Sequence, residues 1–114
     1  MYNYRANLIK VVDGDTIDAE IDLGFNIKVT KRIRLYNIDA PEVRTSNDLE
    51  KKRGKLAKNR LINLLEQNRG LFVLKSHGIG KFGRCLGEIF IENESINEKL
   101  LKDCLLYTSD AADE

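Results

Sequence analysis

Across 114 residues the sequence has no tryptophan, one histidine, one proline and two cysteines, and each scarcity removes a class of chemistry. The lone histidine, His77, excludes mechanisms and metal sites that need two imidazoles. Cys85 and Cys104 are too few for a disulfide scaffold, and no CxxC pair offers a zinc site. No apolar run reaches the length of about eighteen residues that a membrane-spanning helix needs, so no membrane association is expected. Met1 to Lys10 holds no long apolar stretch, so no secretory signal is expected and the cellular location stays open. With 42% apolar residues, the length suits one domain and one core, because a chain this short buries roughly two-thirds of its unfolded surface. What remains is chemistry run by carboxylates, arginines and a hard metal ion.

The net charge of +1 conceals an uneven distribution. From Cys104 onward the chain carries three acids, Asp110, Asp113 and Glu114, and no base; residues 1–103 then hold 19 bases against 15 acids. That bias favours anionic partners mildly. The stretch Leu105 to Glu114 shares no register with what precedes it and reads as the in-frame translation of a sequencing adapter, with Cys104 as its first residue. The expected organisation is a domain over 1–103, cut short at its C-terminus, and a non-native tail over 104–114.

Tyr4 to Val12 is rich in β-formers and runs into the turn signal Asp13-Gly14-Asp15-Thr16. Thr16 to Leu23 then alternates polar and apolar with period two, which places Ile17, Ala19, Ile21 and Leu23 inward. After Gly24, Ile27 to Ile38 alternates again through Ile27, Val29, Ile33 and Leu35; Lys31 and Asn37 interrupt the phase, so a bulge or strong bend is expected. Pro41 stiffens Asp39-Ala40-Pro41-Glu42 into a non-helical segment. A helix capped by Ser46 or Asn47 follows, with Leu49, Leu56, Ala57, Leu61, Leu64 and Leu65 along one face and Gly70 at its end. Leu71 to Leu74 reads as a short strand, Ser76 to Arg84 as a flexible glycine-containing loop, and Leu86 to Ile91 as a further strand. Ser95-Ile96-Asn97-Glu98 is a capping box opening a second helix. Five strands, with one helix between the third and fourth and another after the fifth, suit an α+β protein built on an OB-fold barrel.

Three acids gather at two turns of that plan: Asp15 after the first strand, then Asp39 and Glu42 after the third. Hard oxygen donors of this kind suit Ca²⁺ or Mg²⁺, with the Ala40 carbonyl as a further donor. Taken alone, Asp15 is an ordinary turn residue. Arg34 and Arg84 offer planar forks that match phosphate oxygens bidentately, and two of them facing a carboxylate-bound cation would clamp a phosphodiester. Lys28, Lys31, Arg32 and Lys81 can track a nucleic-acid backbone or cover a solvated face. Tyr36 can stack on a base or pack into the core. His77 is expected to be solvated in its loop, and Cys85 to be a small core residue.

Asn7 to Thr16 resembles the first strand and turn of the staphylococcal nuclease family. Arg34-Leu35-Tyr36-Asn37-Ile38-Asp39-Ala40-Pro41-Glu42 is similar to its R-L-x-x-x-D-x-P-E signature, Lys81-Phe82-Gly83-Arg84 to its K-Y-G-R segment, and Ile96-Asn97-Glu98-Lys99-Leu100-Leu101 to its V-N-x-x-L helix. Four motifs stand in order over residues 7–103. The resemblance implies a Ca²⁺-dependent phosphodiesterase, a monomer acting on DNA and RNA, in which hydroxide attacks phosphorus in line and leaves 3′-phosphate ends. It implies Asp15, Asp39 and the Ala40 carbonyl as calcium ligands, Glu42 as the acid that orients or deprotonates water, and Arg34 and Arg84 on the scissile phosphate. It also implies nucleic-acid contacts from Lys81 and Phe82.

Phe82 stands where the family often has tyrosine, which removes a hydroxyl contact to phosphate, and Gly80 replaces a common aspartate. The family's chain continues past the position of Asp103 with nucleotide-stacking tyrosines and another helix. An exposed apolar side and marginal stability are therefore expected here. The alternative reading is a non-catalytic OB barrel that holds single strands, and a third is a calcium-binding protein without catalysis. The presence of all five site residues, Asp15, Arg34, Asp39, Glu42 and Arg84, favours the enzyme.

Overall fold

A computed structural model of the chain describes residues 2–38, 47–79 and 85–102. Strands β1 (Asn3–Asp13), β2 (Thr16–Asp22) and β3 (Lys28–Leu35) form an antiparallel meander, followed by helix α1 (Asp48–Glu66). Then come β4 (Leu71–Ile79), β5 (Cys85–Ile91), the short β6 (Glu94–Ser95) and helix α2 (Ile96–Lys102). β1 also pairs with β4, and β4 with β5, both antiparallel. A parallel pairing of β3 with β5, through Ile33↔Cys85, Arg34↔Leu86 and Leu35↔Gly87, closes the ring. The result is the five-stranded OB-type barrel with two helices that the sequence predicts, with β6 added as a flap on β5.

Closure depends on a close approach at Gly87. A Cβ there would stand 2.5 Å from Leu74 Cδ1 and 3.1 Å from Ile33 Cγ2, so β3, β4 and β5 converge where glycine leaves room. The interior is filled by the alternate residues of the strands: Ile17, Ala19, Ile33 and Ile89 are wholly buried, and α1 and α2 plug the barrel with Leu61, Leu65 and Leu100. Burying each such aliphatic side chain contributes about 1.5–3 kcal/mol, and this, rather than local propensity, holds the helices in place.

Asn47 caps α1, its side-chain oxygen accepting from Glu50 N–H at 3.0 Å. Ser95 caps α2 in the same way, accepting from Glu98 N–H at 3.2 Å. Several expectations are corrected. Leu49 and Leu56 are exposed, and the buried face of α1 runs instead through Gly54, Ala57, Leu61, Leu64 and Leu65. Leu23 and Ile27 are exposed too, because they flank the β2–β3 hairpin tip, where Gly24, Phe25 and Asn26 all adopt positive φ beyond the end of the barrel. β3 keeps an unbroken register against β2 despite Lys31; register shifts fall instead between β1 and β2, at Leu8/Lys10 and Val11/Asp13, and between β4 and β5, at Ser76/Ile79. Ser76 to Ile79 belongs to β4 rather than to a loop. No described helix is long and apolar enough to cross a membrane.

Candidate active site

The β1–β2 hairpin turns through Gly14 and Asp15, with Asp13 opposite Thr16. Asp15 is buried, 8% exposed, at the end of β3. Its backbone carbonyl accepts from Leu35 N–H at 2.7 Å, and its Oδ1 accepts from the Thr16 hydroxyl at 2.8 Å. Its Oδ2 lies 2.7 Å from Nη1 of Arg34, which sits directly across the ladder from Thr16. Both side chains are largely withdrawn from solvent. Two of the residues named from the sequence, 19 positions apart, thus meet in a low-dielectric corner where a charge-assisted contact is strong.

The chain leaving β3 is fixed at each step. Tyr36 N–H donates to the Gly87 carbonyl at 2.7 Å, which prolongs the β3–β5 pairing by one residue. Asn37 takes a left-handed conformation, φ +62°, which an asparagine tolerates. Ile38 is wholly buried. The Tyr36 carbonyl accepts from Nδ2 of Asn97 at 3.0 Å, and the same nitrogen reaches the Gly87 carbonyl at 3.3 Å, while Oδ1 of Asn97 accepts from Ile89 N–H at 3.1 Å. Asn97 is 4% exposed, so a single buried amide bolts α2 to β5 and to the exit of β3. That exit leads directly into Asp39.

Asp39, Ala40, Glu42, Lys81, Phe82 and Arg84 lie outside the described residues. Among the described residues no group of three or more histidine, cysteine or acidic side chains is placed to hold a metal. The donor that is described, Asp15, fits a hard divalent ion: it is a carboxylate, buried at the barrel mouth, with a hydroxyl beside it.

The structure revises the surrounding residues. His77 is not solvated: its side chain is 12% exposed, its ring stacks on Tyr36 with centroids 3.9 Å apart and planes 7° from parallel, and Nε2 lies 3.2 Å from Glu88 Oε1. The Ser95 hydroxyl donates to the other oxygen of Glu88 at 2.6 Å. Tyr36 is 43% exposed and therefore not a core residue. Lys28 and Arg32 engage Glu20 and Asp18, at 3.9 and 2.8 Å. Cys85 is a free thiol packed against the core. Sequence reasoning gave no role to Glu88 and saw Asn97 only within a helix motif. A lone asparagine at the start of an amphipathic helix was the available signal for the latter.

Comparison with known proteins agrees with the barrel fold. The chain is 31% identical over 90 residues to Protein ParB of Escherichia coli, covering 79% of this chain and 44% of that protein. It is 31% identical over 96 residues to the thermonuclease of Staphylococcus intermedius, covering 84% of this chain and 54% of that protein. The chain thus spans about half the length of these curated relatives. A family model described as "Staphylococcal nuclease homologue" matches residues 32–112, from β3 through both helices, and the chain belongs to that family.

Proposed function

We propose that the protein is a Ca²⁺-dependent nuclease that hydrolyses phosphodiester bonds of DNA and RNA. The observation that carries this reading is the buried Asp15–Arg34 pair, a carboxylate and a guanidinium 2.7 Å apart at the mouth of the barrel. A fixed arginine in a water-poor corner is well suited to the charge that builds on phosphate oxygens during in-line displacement, because it needs no reorganisation as that charge grows. Arg84 supplies the second fork. Glu42 orients the attacking water and takes its proton, the new O–P bond forms opposite the 5′ oxygen, and the P–O5′ bond breaks to leave a 3′-phosphate, the departing 5′ oxygen taking a proton from solvent. Asp15, Asp39 and the Ala40 carbonyl would hold the calcium ion. When bound, the ion supplies positive charge that makes water easier to deprotonate and offsets charge at phosphorus. Lys81 and Phe82 would contact the strand on either side.

Family membership and the likeness to a thermonuclease support the nuclease reading. Digestion of single-stranded DNA with Ca²⁺, with Mg²⁺ and with chelator tests it. Cleavage with calcium alone is expected. Binding without cleavage in all three conditions would identify a strand-holding module instead.

A further inference from the structure

The tyrosine–histidine pair beside the arginine has no part in phosphate chemistry, yet it is built with care. Leu35 points into the barrel at 1% exposure, so its neighbours Arg34 and Tyr36 lie on the other side of the chain, about 7 Å apart along it. One face of the Tyr36 ring is covered by the His77 imidazole. The backbone N–H and carbonyl of Tyr36 are both hydrogen-bonded, to Gly87 and Asn97, so its 43% exposure belongs chiefly to the ring. Behind it, His77 is held by Glu88, and Glu88 by Ser95, whose oxygen also caps α2. The chain of contacts starts at the cap of α2 and ends on an exposed tyrosine.

Tyr36 is thus held on one side by a fixed imidazole while remaining 43% exposed. From this we infer that Tyr36, backed by His77, is a stacking platform for a nucleobase of single-stranded nucleic acid whose phosphate lies at Arg34. The inference rests on the nuclease reading for the position of the phosphate. A base laid on the open ring continues a stack whose lower member is already fixed, so little side-chain freedom is lost on binding. Every base has a π-face, so the platform reads the presence of a base and not its identity. His77 is a positioning residue in this scheme: it touches Tyr36, not the ligand.

The test compares binding, in chelator, of a labelled six-nucleotide oligothymidylate and a six-unit abasic deoxyribose-phosphate strand, by fluorescence anisotropy. The wild-type chain should prefer the strand with bases. Tyr36→Leu, which keeps apolar bulk and loses the π-face, should weaken oligothymidylate binding by about 5- to 100-fold and leave the abasic strand unchanged. Tyr36→Phe should retain the preference. His77→Ala should reduce it in part, with thermal melts confirming that each variant folds. Equal loss for both strands in Tyr36→Leu, or no loss, would overturn the platform. Calcium-dependent cleavage by the wild-type chain, measured on the same preparation, separates the two readings. Cleavage without base preference removes the platform alone, and base preference without cleavage removes the nuclease alone.

Discussion

Two aspartate–arginine pairs stand near one another on the β2–β3 ladder, and they behave as opposites. Asp18 and Arg32 face each other in register on the outside of the barrel. Their contact is a two-pronged fork, Nε to Oδ1 at 2.8 Å and Nη2 to Oδ2 at 3.2 Å, with Arg32 well exposed. The hydrogen bonds from Arg32 hold the Asp18 carboxyl below its ordinary range and raise the guanidinium correspondingly. Asp15 and Arg34 meet one turn of the hairpin away, withdrawn from solvent and anchored to Thr16 and Leu35. The outer pair has the more regular geometry, but water screens it and it contributes little. In the inner pair desolvation offsets much of the mutual attraction, which makes it a poor device for stability. Geometry alone would rank the outer pair first; burial sets the inner one apart.

The largest effect expected from breaking this contrast is in the inner pair. Arg34→Lys keeps the charge and loses the fork, and should lower single-stranded DNA cleavage by about 100-fold or more, as removal of one transition-state donor does elsewhere. Turnover near the wild-type rate in that variant would remove the argument from bidentate geometry. Next comes the support of that corner. Asn97→Ala strands the Ile89 N–H and the Tyr36 carbonyl without their partner and should cost about 2–4 kcal/mol of stability, read as a lower urea midpoint at unchanged slope. Gly87→Ala, which forces a methyl against Leu74, should cost about 1–3 kcal/mol by the same measurement.

The outer pair should respond weakly. Arg32→Ala is expected to leave cleavage within about twofold of wild type, because an exposed ion pair contributes little to the fold. Its pH signature is more telling. Because the folded chain depresses the Asp18 carboxyl, the pair's contribution is complete above the ordinary carboxylate range and fades as pH falls through it. Thermal melts should therefore show the gap between wild type and Asp18→Asn closing below about pH 4. Smallest of all, removal of residues 104–114 should change neither melting nor cleavage. A loss of either would place them in the native domain, whose family match runs to residue 112.

The barrel was legible because its strands obey a simple alternation: Ile17, Ala19, Ile21, Ile33 and Leu35 are all buried as their spacing requires. Caps were legible at Asn47 and Ser95, since capping is local chemistry. Alternation misled at Leu23 and Ile27, where the strands outrun the barrel and an apolar residue has nothing to face. It misled again at Leu49 and Leu56, because an apolar stripe on a helix does not say how wide a surface lies opposite. Ser-His-Gly at 76–78 reads as loop by propensity, yet the pairing of Ser76 and Ile79 with β5 on either side and the His77 stack on Tyr36 hold it in β4. At the site, the sequence named Asp15 and Arg34 and the structure joined them. The convergence of Asn97, Gly87 and Tyr36 was not legible, because backbone partners leave no trace in side-chain patterns.

The hydrogen bond from Asn97 to Tyr36 spans 61 positions. During synthesis the arginine and its aspartate therefore emerge long before the amide that clamps the strand exit, and before Gly87, the other acceptor at that junction. Closing so long a segment carries an entropic penalty that grows slowly with its length. A ribosome-bound chain halted short of α2 therefore holds Asp15 and Arg34 without the amide that fixes the strand exit, and that junction is completed only when α2 emerges.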